Sequence, residues 1–173
     1  MPPPVVQRCA ISTLARRVAS LETRVPVEVV SGPDIIFLAD ADQLEQMLIN
    51  LVRNAAESVL QAAEENANSN GSKEWDGRRQ IILSWKGVDE TIVIAIEDDG
   101  VGLMNPANVF VPFYTTKPQG SGIGLVLSRQ IAEAHGGTLE LSNRTDRRGC
   151  TVKITLPLRI TVAADRRTEN KLA

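Results

Sequence analysis

The stretch that decides the fold is QMLINLVRNAAESV, residues 46–59 of this 173-residue chain. Its apolar residues recur at three- and four-residue intervals, which predicts an amphipathic helix with one buried stripe. Upstream, the carboxylate of Asp40 or Asp42 can cap this helix, because it accepts hydrogen bonds from the free N–H groups of the first turn. The predicted stripe consists of Leu44, Met47, Leu48, Leu51, Ala55 and Val59. We therefore expect a long helix that packs on a core.

Two asparagines lie at the edge of this stripe. Asn50 and Asn54 are four residues apart and so share one face of the helix, with Glu57 close to it. Amide oxygens are hard, neutral ligands of the kind that Mg²⁺ accepts beside water and phosphate oxygens. The pair therefore suits a magnesium–phosphate site. The alternative is that both side chains are solvated polar residues on an amphipathic helix.

A second cluster, EDDGVGL at residues 97–103, follows a run of alternating isoleucine and valine that predicts a strand. A carboxylate fixed at the strand end, at Asp98, can accept a hydrogen bond from an exocyclic amine. Gly100 and Gly102 would let the backbone approach a flat ring with no Cβ between them. The alternative is a tight turn, for which Asp-Asp-Gly is ordinary chemistry.

A third cluster, GSGIGL at residues 120–125, opens the predicted helix IGLVLSRQIAEAH. The free N–H groups and the dipole of a helix N-terminus favour an anion there. The spacing is not that of a dinucleotide-binding fingerprint, and no Gly-Lys-Ser or Gly-Lys-Thr follows as in a P-loop. Just upstream, Lys117 can reach a terminal phosphate as a mobile charge, unless it is only solvated. The three clusters together predict a nucleotide-phosphate site, with ATP as the ligand.

The remaining elements follow from periodicity and turn residues. A short amphipathic helix is predicted at residues 11–21, and GSGIGL leads into a helix that ends at Gly136 and Gly137. Strands are predicted, mostly as adjacent pairs, at 25–30 and 35–39, at 80–86 and 91–97, and at 138–143 and 150–158. Residues 66–78 and 103–121 are predicted as mobile loops. Paired strands between helices indicate an α/β (α+β) two-layer sandwich whose mixed sheet carries helices on one face.

Composition excludes several classes of function. A net charge of −2 provides no basic field for nucleic acid. Cys9 and Cys150 are far apart and belong to no zinc motif, so we expect two buried thiols. No stretch is long and apolar enough to span a membrane, and we expect a cytoplasmic protein, or the cytoplasmic part of a membrane-anchored sensor. The single histidine, His135, lies at a predicted helix end, where a structural or capping role is expected.

Five segments together resemble one family. They are NLVRNA (50–55), EDDGVGL (97–103), FVPFYTTK (110–117), GSGIGLVLSRQIAEAHGG (120–137) and GCTVKITLP (149–157). In this order they are similar to the N, G1, F and G2 boxes and the final Gly-x-Thr strand of the catalytic, ATP-binding domain of sensor histidine kinases. This domain shares its Bergerat-type fold with DNA gyrase, the 90-kDa heat-shock chaperone and MutL. The sequence NAAES, with Glu57 where many relatives carry lysine, and PFYTTK resemble the nitrogen-regulation branch.

The resemblance implies a role for each motif residue. Asn54 would bind Mg²⁺, and Asn50 would lie near the phosphates, where ATP-hydrolysing relatives carry glutamate. Asp98 would accept from the adenine amino group, and Thr151 would lie near the base with Gly100 and Gly102. The β- and γ-phosphates would be held by Lys117 and by the segment Gly120, Ser121, Gly122, Ile123, Gly124 and Leu125. Phe110 and Phe113 would anchor a lid over the site. Asn50 and Lys117 are the expected catalytic residues.

A complete kinase of this family also needs a helical hairpin that carries the phosphoacceptor histidine, and His135, inside the G2 motif, is not that residue. The resemblance thus implies a linker helix at 1–25 and the catalytic domain at 26–158. The tail at 159–173 has little to bury, so we expect it to be disordered. The implied partners are a helical dimerisation and phosphotransfer domain in the same protein and the receiver domain of a response regulator. The full-length protein would be a homodimer. The alternatives are a stand-alone serine kinase of the anti-sigma-factor type and a non-catalytic nucleotide-sensing module.

Overall fold

The computed structural model describes residues 2–30, 32–70, 80–112 and 122–158. Seven strands and three α-helices lie in these ranges, with a 3-10 turn at Pro106–Asn108. The strands are β1 Gln7–Ala10, β2 Val27–Val30, β3 Ile36–Ala39, β4 Ile81–Val88, β5 Thr91–Asp98, β6 Thr138–Asn143 and β7 Cys150–Pro157. The helices are α1 Ile11–Leu21, α2 Ala41–Asn70 and α3 Gly124–Ala134.

Five strands form one mixed sheet in the order β2-β4-β5-β7-β6. Only the β2–β4 pair within it is parallel. Every second residue of the central strand β5 is buried, namely Ile92, Ile94 and Ile96, and the strand ends at Asp98 on the same face. Each such isoleucine stabilises the fold by roughly 1.5–3 kcal/mol. The apolar stripe of α2 packs on this face in the same core, which confirms the predicted fold class.

The strands β2 and β3 are not neighbours, although the sequence predicted them as an adjacent pair. β2 pairs with β4, whereas β3 pairs antiparallel with β1 in a separate two-stranded sheet. Between them, the carbonyl of Pro33 accepts a hydrogen bond from Trp85 Nε1 at 2.8 Å. This contact holds the connection between β2 and β3 against β4.

Helix α2 is longer than predicted. It continues to Asn70, whereas the sequence predicted a loop from residue 66. Alanines and glutamates are good helix formers, and neither glycine nor proline stops the helix before Gly71. Gln61 Nε2 also donates to Glu65 Oε1 at 3.4 Å, one turn along the helix. The rest of the predicted loop, residues 71–78, lies outside the described residues.

Helix α1 forms at the predicted residues and belongs to the main core. It buries Ile11, Leu14, Ala15 and Val18 against the cluster that contains the stripe of α2. Helix α1 therefore packs in the same core as α2. The tail expected at 159–173 lies outside the described residues. Among the described helices, none combines the length and apolar character needed to cross a lipid bilayer.

Candidate functional site

Asp98 is a buried carboxyl group at the end of β5. Its side chain is 2% exposed, and its Oδ1 accepts a hydrogen bond from the Gly100 N–H at 2.9 Å. Burial raises the pKa of Asp98 to about 6, although the N–H groups of Gly100 and Cys150 act in the opposite direction. A carboxyl group held in this way can offer an acceptor to a ligand with little cost of reorganisation.

The turn after Asp98 is fixed to the long helix α2. The Val101 N–H donates to Ser58 Oγ at 3.0 Å and lies 3.3 Å from the Ser58 carbonyl oxygen. A Cβ on Gly100 would collide with Ser58, so only glycine allows this approach. Sequence reasoning missed Ser58. The available signal was its position four residues after Asn54, on the same helix face.

The strands β6 and β7 close the other side of this turn. Asn143 at the end of β6 accepts from the Leu103 N–H at 2.6 Å and donates to the Leu103 carbonyl oxygen at 3.1 Å. Gly102 lies beside the Asn143 side chain. Gly149 has a φ of 143°, and a Cβ there would collide with the carbonyl oxygen of Asp98. The turn at residues 98–103 is thus held from three elements. Asn143 lay in no quoted motif, so its role could not be read from the sequence.

The register of β7 decides whether Cys150 or Thr151 lies beside Asp98. In the β5–β7 ladder Cys150 lies opposite Asp98, and Thr151 lies opposite Glu97. Because side chains alternate along a strand, Thr151 points to the other face of the sheet from Asp98. Burial, with Asp98 nearby, raises the pKa of the Cys150 thiol to about 12, so the thiol stays protonated. The structure therefore brings Cys150, rather than the predicted Thr151, next to the buried carboxyl group.

Asp99 faces away from the site into an arginine cluster. Its Oδ1 is 3.3 Å from Arg144 Nη1 and 3.7 Å from Arg147 Nη1. Arg144 also binds Asp146 through two nitrogens, each at 3.0 Å. These pairs draw the Asp99 carboxylate toward the β6–β7 turn, so Asp98 is the acidic side chain left at the head of the glycine turn.

Asn50 joins α2 to α3. Its Nδ2 donates to Ser128 Oγ at 2.9 Å, and a Cβ on Gly124 would collide with its Oδ1. Asn54 lies one turn further along α2 and, like Asn50, is half-buried. The two asparagines therefore lie at the edge of the core, as predicted. Ser128 was missed, because a serine within a helical stripe gives no local signal.

Helix α3 begins at Gly124, and the apolar side chain of Ile123 at its N-cap makes no capping hydrogen bond. Gly122 precedes it, and Leu125 packs partly against the core. In the F-box segment, Phe110 lies under Arg129 of α3, with the guanidinium carbon 5.0 Å from the ring centroid. Such a contact contributes about 0.5–1 kcal/mol at an exposed site. The predicted residues Phe113, Lys117, Gly120 and Ser121 lie outside the described residues.

His135 has a structural position, as predicted. Its side chain is 7% exposed, its Nδ1 lies 2.8 Å from the Ile131 carbonyl oxygen, and its Nε2 accepts from the Asp40 N–H at 3.1 Å. These partners require the neutral ring with its proton on Nδ1. Asp40 is the cap of α2, because its Oδ1 accepts from the N–H groups of Asp42 and Gln43 at 3.1 and 3.0 Å. His135 thus joins the end of α3 to the start of α2.

Two further observations concern the extent of the site and its possible metal ligands. A groove of about 400 Å³ runs between α1 and α2, and it reaches Asn50 but not Asp98 or the glycines. It lies beside the candidate site and is not that site. In the part of the chain that the structure describes, no group of three or more His, Cys, Asp or Glu side chains could hold a metal ion.

The sequence profile of the histidine kinase-, DNA gyrase B- and HSP90-like ATPase family matches residues 39–160. The chain belongs to this family. The match spans α2, the turn after Asp98, α3 and β7, which are the elements that build the site. The domain is therefore an ATP-binding domain of the histidine kinase type, and the predicted resemblance is confirmed.

Similar proteins are bacterial sensors. The chain is 34% identical over 128 residues to the sensor protein FixL of Bradyrhizobium diazoefficiens, covering 73% of this chain and 22% of FixL. It is 30% identical over 168 residues to the nitrogen regulation protein NtrY of Azorhizobium caulinodans, covering 90% and 20%. Identity to the sensory histidine kinase/phosphatase NtrB of Rhizobium meliloti is 35% over 136 residues, covering 75% and 34%. The chain thus spans 20–34% of the length of these relatives, and they include the predicted nitrogen-regulation branch.

Solved structures show the same fold. Full-length ShkA in complex with AMPPNP matches with a TM-score of 0.69 at 23% identity, covering 88% of this chain and 31% of that chain. The nucleotide-free catalytic domain of histidine kinase ThkA matches with a TM-score of 0.68 at 23% identity, covering 88% and 95%. The sandwich is thus the fold of histidine kinase catalytic domains.

Proposed function

We propose that this chain is the catalytic part of a sensor histidine kinase and that it transfers the γ-phosphoryl group of MgATP to a histidine on a separate domain. The observation that carries the proposal is the buried Asp98 carboxyl group, held at the head of a turn that α2, β6 and β7 fix in place. A preorganised acceptor beside a glycine backbone suits the amino group of adenine. ATP is chosen as the nucleotide because the chain belongs to a family of ATPases.

The proposed roles divide the site into two ends. Asp98 binds the adenine amino group, with the backbone of Gly100 and Gly102 beside the base. At the other end, the start of α3 binds phosphate through its N–H groups, together with Gly120, Ser121, Gly122 and Lys117. The position of Cys150 opposite Asp98 favours its buried thiol, rather than Thr151, as the neighbour of the base.

The Mg²⁺ ion is also a proposal, and the residues fit it. The carboxamide of Asn50 lies in a space beside Gly124 that a Cβ would fill, at the start of the phosphate-binding helix. Asn54 on the next turn of α2 would hold the ion, and Asn50 would support it. When bound, Mg²⁺ would neutralise charge on the phosphate oxygens. The protein's own contribution is positioning, because phosphoryl transfer needs little covalent chemistry from side chains.

The proposed phosphoryl transfer requires two protein partners, and both are proposals. The acceptor is a histidine on a helical dimerisation domain of the same protein, and the phosphoryl group then passes to a response-regulator receiver domain. A full-length homodimer in the cytoplasm fits this scheme. The relatives named above are sensors, and no observation favours the serine kinase or the nucleotide-sensing module.

The test is phosphotransfer in trans. Incubated with labelled ATP alone, the chain should remain unlabelled, because His135 is buried and paired with Asp40. Adding the cognate helical hairpin should produce an acid-labile phosphohistidine on the hairpin. Asn54→Ala should abolish this label, whereas Arg147→Ala, an exposed change at the β6–β7 turn, should preserve it. An acid-stable phosphoserine, or labelling of His135, would contradict the proposal.

A further inference from the structure

Helix α3 contains a buried hydroxyl group that the roles above do not use. Ser128 is 1% exposed and lies on the inner face of α3, one turn before Ile131 and Ala132. Burying a hydroxyl group without a partner is unfavourable. Here the partner is the Nδ2 group of Asn50 on α2, at 2.9 Å. The contact bridges 78 residues of sequence and joins the two helices that carry the asparagines and the phosphate-binding turn.

This hydrogen bond selects one orientation of the Asn50 carboxamide. An asparagine amide has a donor end and an acceptor end, and rotation by 180° about its last bond exchanges them. Ser128 Oγ accepts from Nδ2, so Oδ1 lies on the other side of the group. There Oδ1 is the atom of the carboxamide nearest to Gly124, the first residue of α3: a Cβ on Gly124 would collide with Oδ1 and would lie 3.0 Å from both Cγ and Nδ2. The oxygen end of Asn50 therefore faces the start of α3.

We propose that Ser128 is a positioning residue: it holds the Asn50 carboxamide so that Oδ1, and not the NH₂ group, faces the metal–phosphate end of the site. The inference rests on the proposed function. A hard cation takes oxygen ligands, and an NH₂ group in that place would direct hydrogen atoms at the positive charge. The adenine end is separate, because the turn after Asp98 is held by Ser58, Asn143 and Gly149 rather than by α3.

The inference is tested first without nucleotide. In the parent chain, one Nδ2 proton of Asn50 should be protected from solvent exchange, as followed by NMR of the side-chain amide. In Ser128→Ala both protons should exchange rapidly. Ser128→Cys, which is close in volume but a weak acceptor, should behave like the alanine variant. Ser128→Thr keeps the hydroxyl group and should restore the protection.

The second test separates the two ends of the site. ATP affinity is titrated with and without Mg²⁺, and the ratio of the two affinities measures the metal-dependent gain. Ser128→Ala should leave affinity without Mg²⁺ within about twofold and reduce the gain by roughly three- to tenfold, the effect of one lost hydrogen bond. Ser128→Thr should recover the gain. The matched control is Ile131→Val, a small change at a fully buried residue of the same helix, which should leave the ratio unchanged.

The outcomes are distinct. An unprotected Asn50 amide in the parent chain, or a full metal-dependent gain in Ser128→Ala, would overturn the role of Ser128 while leaving the proposed function intact. An equal loss of affinity with and without Mg²⁺ in both Ser128→Ala and Ile131→Val would show a packing role only, and would also overturn it. If the parent chain bound no nucleotide, the proposed function would fail, and the amide exchange would still decide the orientation of Asn50.

Discussion

The backbone N–H of Val101 donates to the side-chain oxygen of Ser58 at 3.0 Å, so the turn after Asp98 is joined directly to α2. Residues 43 positions apart thereby fix the distance between the proposed adenine and metal ends of the site. Gly100 makes the approach possible, because any Cβ there would collide with Ser58. The geometry of the site thus depends on packing between two motifs as well as on the motif residues themselves.

Gly100→Ala should destabilise the fold by about 1–3 kcal/mol, because the new methyl group must displace α2 or the turn. Urea unfolding of both proteins measures the difference. Gly87→Ala is the matched control, since a Cβ at this strand position meets only Ile35 Cδ1 at 3.6 Å, an ordinary contact. Equal stability of the two variants would contradict the close packing of the turn on α2.

Asp98→Asn should change how stability depends on pH. Burial raises the pKa of Asp98 to about 6 from an ordinary value of 3.8, so between these values the folded state binds a proton more tightly than the unfolded state. The stabilising contribution of this group is therefore full below pH 3.8 and is lost as pH rises through about 6. At about 1.4 kcal/mol per unit, the loss is at most roughly 3 kcal/mol.

The asparagine variant cannot titrate, so it should lack this decline and should gain stability relative to the parent chain above pH 6. The measurement is the free energy of unfolding at pH 4.5 and pH 7.5 for both proteins, without nucleotide. A difference between parent and variant that is the same at both pH values would show that Asp98 titrates normally.

His135→Ala should cost about 1–3 kcal/mol of stability, because it leaves the Asp40 N–H without its acceptor. ATP affinity of the folded variant should be unchanged, since His135 lies at the opposite end of α3 from the turn proposed to bind phosphate. Chemical denaturation followed by an ATP titration at low temperature checks both parts. A variant that is as stable as the parent chain but loses ATP binding would place His135 in the site instead.

The positions of several candidate site residues in the fold could be predicted, because their signals are local in sequence. The spacing of Asn50 and Asn54 puts them on one helix face, and Asp98 follows an alternating run that fixes its place at a strand end. Residues that act through distant partners carried no such signal. Ser58 and Asn143 are ordinary polar residues until the fold brings them to the turn at residues 98–103.

Strand pairing shows the same limit. The motif strand at residues 150–158 was placed correctly along the chain, but which of its side chains faces Asp98 depends on register with β5. A shift of one residue moves every side chain to the other face, and the structure selects Cys150 over Thr151. The pairing of β3 with β1, rather than with β2 next to it in sequence, likewise could not be seen in the local pattern of either strand.

Calorimetric titration of the parent chain and of Asp98→Asn with MgATP and MgGTP tests the central claim most directly. The parent chain should bind MgATP with a dissociation constant in the micromolar range or weaker, which corresponds to a binding free energy no stronger than about −8 kcal/mol. It should bind MgGTP poorly, because guanine presents a carbonyl group to the acceptor at Asp98. Asp98→Asn should lower ATP affinity about tenfold or more, since an amide donor would face the adenine amino group. No heat of binding at ~1 mM MgATP, equal ATP affinity in both proteins, or a preference of the parent chain for GTP would contradict the assignment.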